Sequence, residues 1–346
     1  MSNNNNLTDI RTLGEFGLIS HLTKNFRNRN DSTKLAIGDD AAIVQYEGTP
    51  TVISTDLLVE GIHFDLSYVS LKHLGYKSIM VNLSDIYAMN AYPKQVTVSL
   101  AISSKFSVEA LDSLYEGIEL ACRYYGVDLI GGDTTTSRMG LLISVTALGT
   151  NQEDRIVKRS TAKVGDLIGV SGNLGAAYLG LQILEREKKV WLEDPTMQPQ
   201  LEEHKYLVER QLKPEARKDI VELFEKLDVI PTAMIDVSDG LSSDLIHVCK
   251  QSKVGAHIFE ENLPIDKEAY DLAVNEFKIS PTTCALNGGE DYELLFCINP
   301  NDLSRMDGAE NIKMIGKVVE ESAGIKIFTP NEKGHDLVAQ GWNPLL

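Results

Sequence analysis

Thr51-Val52-Ile53-Ser54-Thr55-Asp56 is a short apolar run that ends on an acid, and the pattern recurs along the chain. Leu35-Ala36-Ile37-Gly38 leads into Asp39 and Asp40, Leu129-Ile130-Gly131-Gly132 into Asp133, and Met234-Ile235 into Asp236 and Asp239. Runs of this kind read as buried strands. A carboxylate at each strand tip would gather negative charge at one end of a sheet. Like charges that close in a dry site do not all stay ionised unless a cation neutralises them. The economical expectation is a cluster of divalent cations, Mg²⁺ first, and the usual reason to gather Mg²⁺ is to hold polyphosphate.

Outward from these runs, strands alternate with helices. Glu15 to Phe26 has helical periodicity, and residues 70–91 and 107–125 read as helices. Residues 51–56, 95–102 and 141–148 read as strands. The composition changes at Thr150-Asn151-Gln152-Glu153-Asp154, which places a domain boundary near residue 155, between an N-terminal domain 1–155 and a C-terminal domain 156–346. The second half has strand patterns at 167–172, 294–298 and 312–319 and helix patterns at 176–188, 215–227 and 240–251. Residues 189–206 are charged, carry Pro195 and Pro199, and read as a surface excursion. Each half is therefore expected to be α/β or α+β.

The 346 residues are 43% hydrophobic, enough to bury two cores, and carry a formal net charge of −17. That charge argues against a nucleic-acid partner. It leaves an anionic substrate open, because bound metal inverts the local field. Cys122, Cys249, Cys284 and Cys297 lack CxxC spacing and suggest neither zinc nor a disulfide framework. No apolar stretch reaches membrane-spanning length, and the start Met1-Ser2-Asn3-Asn4-Asn5-Asn6 lacks a signal-peptide core. A soluble cytoplasmic protein is expected.

Each acid-bearing segment has a chemical and a plainer reading. Gly38-Asp39-Asp40 is a metal-binding bend or a solvated turn. Ser54-Thr55-Asp56 offers oxygen ligands or a helix cap. Asp85 lies inside an apparent helix with Val81, Asn82 and Met89 three or four residues away, and a buried carboxylate there needs a partner or a metal. Gly131-Gly132-Asp133-Thr134-Thr135-Thr136 reads as a glycine turn that lets phosphate approach the backbone, or as an ordinary polar turn. Asp236-Val237-Ser238-Asp239-Gly240-Leu241-Ser242-Ser243-Asp244 repeats the logic but lacks the Glu of an EF-hand. Gly288-Gly289-Glu290-Asp291 precedes an apolar strand, and its acids could recognise a substrate N–H or be merely solvated. Ser171 to Ala177 could present a helix N-terminus to an anion or serve close packing. Arg159 could stabilise transferred phosphate or form part of a surface pair with Lys158. His63 is more often a satisfied core histidine than a catalytic one.

Seven motifs in order resemble the thiamine-monophosphate kinase family: GDDAAIV (38–44), STDLLVEGIHF (54–64), NLSDIYAMNAYP (82–93), LIGGDTT (129–135), VKRSTAKVGD (157–166), DVSDGLSSDL (236–245) and GGEDYELLF (288–296). The resemblance runs from Gly14 to Trp342. It implies an α/β (α+β) two-domain fold shared with aminoimidazole ribonucleotide synthetase, and a homodimer whose N-terminal strands build a joint barrel near bound ATP. It implies transfer of the γ-phosphate of ATP to thiamine monophosphate. By motif, Asp40, Ser54, Thr55, Asp56, Asp85, Asp133, Asp236 and Asp239 correspond to Mg²⁺ ligands. Gly132, Asp133, Arg159, Ser238 and, on weaker correspondence, Tyr125 match nucleotide contacts; His63, Glu290 and Trp342 match substrate contacts. Trp342 replaces the tyrosine or phenylalanine often found there. The chemistry implied is in-line transfer that relies on positioning and electrostatics at Asp85, Asp133 and Arg159, with no general base.

Related activities fit less well. Selenophosphate synthetase carries a reactive Cys or selenocysteine near its N-terminus, whereas the first cysteine here is Cys122. The hydrogenase-maturation relative carries a C-terminal cysteine, and this sequence ends Asn343-Pro344-Leu345-Leu346. The phosphate-loop pattern of aminoimidazole ribonucleotide synthetase is not seen. A non-catalytic acidic metal scaffold would explain the charge, but not acids set beside Gly and Thr at the ends of apolar runs.

Overall fold

The computed structural model describes residues 14–23, 29–331 and 333–340. Its first half runs through α1 (Gly14–Thr23), β1 (Thr33–Leu35), β2 (Ala42–Val44), β3 (Thr51–Val59), α2 (Leu71–Ala88), β4 (Tyr92–Ile102), α3 (Val108–Tyr125), β5 (Asp128–Thr136) and β6 (Leu142–Thr150). These strands form one sheet in the order β1-β2-β3-β6-β4-β5, antiparallel except for the parallel pair β4 and β5. The second half contains β7 (Leu167–Ser171), α4 (Ala176–Glu193), α5 (Lys205–Leu212), α6 (Lys218–Leu227), β8 (Ala233–Val237), α7 (Leu241–Ser252) and β9 (Gly255–Phe259). It continues with α8 (Lys267–Leu272), α9 (Pro281–Asn287), β10 (Glu293–Ile298), β11 (Ile312–Val319), β12 (Ile325–Phe328) and β13 (Gly334–Asp336). Its sheet order is β13-β12-β9-β11-β7-β10-β8, with β12 and β9 the parallel pair. Two α/β halves with mixed sheets therefore stand as expected.

Strand alternation decides which face of the N-terminal sheet is covered. Val52, Val96, Val98, Leu100, Ile143, Val145 and Ala147 are buried on the face that packs against α2, which in turn packs on α3. On the other face Thr55, Leu57, Thr97, Ser99, Ser144 and Thr146 stay partly or fully open. The sheet is not a closed barrel: β1 and β5 are its edges, and β5 is exposed along its whole length. Among the described residues one chain forms no closed barrel; the resemblance implied one built jointly by two copies.

Two readings of local structure need correction. Gly131-Gly132-Asp133-Thr134-Thr135-Thr136 is not a turn but part of β5 itself. Its register against β4 shifts between Val96 and Thr97, and a Cβ on Gly132 would lie 1.7 Å from the Val98 carbonyl oxygen. Gly132 is thus explained by strand approach, whereas a Cβ on Gly131 would meet nothing within 4 Å. Asp56 likewise lies inside β3, not at its tip, because ladder hydrogen bonds continue through the acid.

Helices α2 and α3 touch backbone to backbone. A Cβ on Gly75 would lie 2.0 Å from the Leu114 oxygen, and one on Gly117 would lie 2.0 Å from the Lys72 oxygen. In the second half the Ser171 to Ala177 bend serves packing and capping. Gly175 N–H and Ala177 N–H donate to the buried Asp291 carboxylate at 2.7 and 3.3 Å, so a carboxylate from the chain itself occupies the N-terminus of α4. Glu293, the first residue of β10, accepts from Ser171 Oγ at 2.6 Å and pairs with Arg210 at 3.0 Å and with Arg217. These contacts fix the 288–292 loop on the second sheet. Gly117→Ala should destabilise the protein by about 1–3 kcal/mol, because a helix must move to admit the methyl group. Urea unfolding measures it, and wild-type stability in the variant would mean the helices separate without penalty.

Candidate functional site

A cavity of about 1270 Å³ opens between the two sheets and is lined from both halves of the chain. The acids that reach it do not come from one end of one sheet. Asp40 comes from the β1–β2 connection, Asp56 from the middle of β3, Asp85 from α2 and Asp236 from β8. One carboxylate oxygen from each of Asp40, Asp85 and Asp236 lies within 4.8 Å of the other two.

Helix α2 makes this convergence possible. Asn82 Oδ1 accepts the Asp56 N–H at 3.0 Å, and Ser54 Oγ donates to Asp85 Oδ2, so the helix is tied to β3 at successive turns. Ser84 Oγ donates to Asp236 Oδ2 at 2.6 Å and ties the same helix to β8. Lys77, Val81 and Asp85, four residues apart, all line the cavity along one stripe of the helix.

The electrostatics follow from burial. Loss of water raises Asp85 well above the ordinary carboxylate range, and the neighbouring charges of Asp56, Asp236 and Asp40 raise it further. Burial also raises Asp40 strongly, opposed by the Arg159 guanidinium. Arg159 is not a surface residue: it pairs with Asp40 and, at 3.3 Å, with Asp39, and acts as the cluster's own counter-ion. Asp40 Oδ2 is buried with no hydrogen-bond partner. An oxygen-only donor set, mutual repulsion and an unsatisfied buried acceptor fit a hard divalent cation such as Mg²⁺.

The other expected site residues fall into three groups. Ser54, Ser238 and Asp239 line the cavity with the acids. Thr55 also lines the cavity, but its hydroxyl is on the opposite face of β3, where it donates to the Val145 carbonyl at 2.9 Å, turned away from the cluster. Gly132 and Asp133 lie on β5, exposed and outside the cavity. The register Asp56–Val145–Val98–Gly132 puts them three strands away, about 14 Å across the sheet. Tyr125 is also away from the site: its hydroxyl donates to Glu215 at 2.9 Å and accepts from Ala216 N–H at 2.8 Å, which ties α3 to the second half. The neighbouring ring, Tyr124, is the exposed one, at 62%. Trp342 lies outside the described residues.

His63 and Glu290 line the same cavity as the acids. His63 Nδ1 accepts the Val59 N–H at 3.0 Å, which leaves the proton of the neutral ring on Nε2. Burial lowers the His63 pKa, so the neutral form prevails. Glu290 follows Gly288-Gly289 with φ of +57° and donates its N–H to the Ser238 carbonyl at 2.7 Å. Because β8 and β10 are antiparallel neighbours, with Val237 opposite Glu293, the 236–245 and 288–296 motifs lie side by side.

Lys77 and Gln211 carried no assignment from sequence. Asp39 and Asp244 stand in the sequence only as members of the Gly38-Asp39-Asp40 bend and the 236–244 run, without a role of their own. Asp244 on α7 is buried, has an Oδ2 unpartnered among the described residues, and is raised well above its ordinary range by burial and by Asp239 and Asp236. A helical stripe extended back from Asp85 would have found Lys77; no local signal marks Gln211.

A stability test follows. Groups whose folded pKa is raised are disfavoured when ionised, so metal-free protein should lose stability as pH rises through the raised values. Asp85→Asn should therefore stabilise metal-free protein, by about 1 kcal/mol or more, and raise its melting temperature. MgCl₂ should stabilise wild type and not the variant. Scanning fluorimetry reads both, and a variant that melts earlier without metal would contradict the repulsion.

Known proteins resemble the chain along nearly its whole length. Residues 38–151 match the family model of the AIR synthase related protein N-terminal domain, and residues 163–327 match that of the C-terminal domain. The thiamine-monophosphate kinase of Aquifex aeolicus is 33% identical over 320 residues, covering 90% of this chain and 97% of its own length. That of Bacillus subtilis is 33% identical over 340 residues, with 96% and 99% covered. The solved structure of AaThiL complexed with AMPPCP and TMP matches with a TM-score of 0.82 at 33% identity, covering 97% of this chain and 99% of that one. The hydrogenase maturation protein HypE in complex with ATP, at 19% identity and a TM-score of 0.67, shares the fold.

Proposed function

The chain belongs to the thiamine-monophosphate kinase family, among the AIR synthase related proteins, and from that premise we propose that it transfers the γ-phosphoryl group of ATP to thiamine monophosphate, giving thiamine diphosphate and ADP. The observation that carries the reading is one cavity lined both by the Asp40, Asp85 and Asp236 cluster and by His63 with Glu290. Lys77, beside Glu290, and Asp85 are two turns apart on α2, about 12 Å. That length suits a substrate with a phosphate at one end and an aminopyrimidine at the other. His63 Nε2–H would donate to a ring nitrogen and Glu290 would accept from an amino group. An acidic scaffold with no catalytic role leaves this pair without a purpose.

Asp40, Asp85 and Asp236 would hold Mg²⁺, with Asp56, Ser54 and Asp239 beside them. When bound, the metal would screen the repulsion between two phosphate groups and stabilise charge on the group in transit. The chain's own contribution is position. Ser54 and Ser84 fix the carboxylates, and Arg159 stands ready to turn from Asp40 to phosphate oxygen. The attacking atom is a substrate phosphate oxygen, largely deprotonated at neutral pH, so direct in-line displacement needs no general base.

A homodimer is part of the proposal. The open sheet face, with Leu57 51% exposed, and the exposed β5 edge are surfaces a second copy would cover. Such a copy is also how Gly132 and Asp133 could join a nucleotide site that one chain leaves them outside. We keep the domain boundary near residue 155 and a cytoplasmic setting. Among the described residues no helix is long and apolar enough to cross a membrane.

A coupled assay with ATP, Mg²⁺ and either thiamine, thiamine monophosphate or an aminoimidazole precursor tests the activity. Product from the monophosphate alone is expected, and Asp85→Asn or Asp133→Asn should lower turnover about 100-fold or more with the fold intact. Near-normal activity in both variants at saturating Mg²⁺ would defeat the mechanism. Leu57→Arg should give a monomer by analytical ultracentrifugation; because Leu57 also lines the cavity, the oligomeric state and not turnover is the readout. A monomeric wild type would remove the dimer from the proposal.

A further inference from the structure

We propose that Lys77 and Gln211 form, with Glu290, a clamp for an exocyclic amino group: Lys77 positions the Glu290 carboxylate, and Gln211 supplies a second acceptor to the ligand. The inference rests on the functional reading above and names what its substrate end recognises.

Lys77 is 6% exposed in its side chain, and its Nζ lies 3.0 Å from Glu290 Oε1. The same Nζ donates to the Gln211 carbonyl at 3.2 Å. Gln211 Nε2 donates to Glu290 Oε2. Each oxygen of Glu290 is therefore held once and keeps a further lone pair, and its side chain remains 30% exposed. A carboxylate tethered on both oxygens has little rotamer freedom. Its backbone is equally fixed, by the left-handed φ and the bond to Ser238.

The independent sign of a ligand is Gln211 Oε1. It belongs to a buried residue that lines the cavity, and it has no hydrogen-bond partner. A buried amide oxygen left bare is unfavourable unless something donates to it. An amino group carries two N–H bonds. Glu290 and Gln211 Oε1 offer two acceptors beside one another. His63 Nε2–H supplies the complementary donor for an adjacent ring nitrogen.

The clamp spans the cleft. Lys77 stands on α2 of the first half, Gln211 on α5 and Glu290 on the 288–292 loop of the second. Lys77 is directed at Glu290 and lies two turns from Asp85, about 12 Å, which separates it from the phosphate end. It therefore acts through Glu290 rather than on the transferred group.

The test is steady-state kinetics on wild type, Lys77→Met, Lys77→Arg, Gln211→Leu, Glu290→Gln and the Lys77→Met/Glu290→Gln double variant. Thiamine monophosphate is compared with the analogue in which a hydroxyl replaces the pyrimidine amino group. Lys77→Met should raise KM for thiamine monophosphate about tenfold or more and leave KM for ATP nearly unchanged. Lys77→Arg should recover most of the loss. In the Glu290→Gln background Lys77→Met should add little, the mark of one residue acting through another. Wild type should favour the amino compound over the hydroxyl analogue, and Gln211→Leu should reduce that preference. If Lys77→Met does not fold, Lys77→Gln takes its place in the cycle. Equal KM effects of the Lys77 variant with and without Glu290, or an unchanged amino preference in Gln211→Leu, overturn the clamp. A wild type that turns over neither compound instead removes the functional reading, and that control is measured first.

Discussion

Buried carboxylates that repel one another are the constraint around which this molecule is arranged. Asp40, Asp85 and Asp236 hold oxygen atoms within 4.8 Å of one another, Asp236 buried and the other two half-buried. Each would be easier to fold if it were neutral or absent. The surrounding groups answer that tension only in part: Ser54 and Ser84 donate one hydrogen bond each, and Arg159 brings a single positive charge. The remaining negative charge is what a bound cation would neutralise. Stability and function therefore pull in opposite directions at the same three side chains.

Helix α2 carries that constraint into the fold. It is buried against α3 through backbone contact at Gly75 and Gly117, which gives it little freedom to shift. The rigidity has a use, since one face of the helix serves both groups of cavity residues. Asp85 meets acids from both halves of the chain, and Lys77 meets Glu290 two turns earlier. The spacing between the acid cluster and the Lys77–Glu290 pair is thereby set by helical rise rather than by loops. The second sheet supplies its share through adjacent strands, with β8 bringing Asp236 and the loop before β10 bringing Glu290.

The N-terminal sheet is a half-finished surface in a single chain. Its helical side is a packed core, while its other side and the β5 edge remain open. Gly132 and Asp133 sit on that edge, outside the cavity. A second copy would answer both facts at once.

Much was legible in the sequence. Strand and helix patterns follow from side-chain periods of two and 3.6 residues, which are local, and so the α/β character of each half and the elements around Asp85 could be read directly. Acids at the ends of apolar runs pointed to a charged site. Convergence itself was not legible, because it depends on long-range pairing. Ser54 and Thr55 are neighbours in the chain, yet the pleat sends one to the cluster and the other to the opposite face. Asp133 has the same local signature as Asp56 but lies three strands away, since sheet order is not written in any one segment. Lys77, Gln211 and Glu290 meet although no local pattern links them. Sequence by itself determined which elements form and which residue types could do the chemistry; only tertiary packing decided which of those side chains share a volume, because burial and repulsion act between residues that the chain keeps far apart.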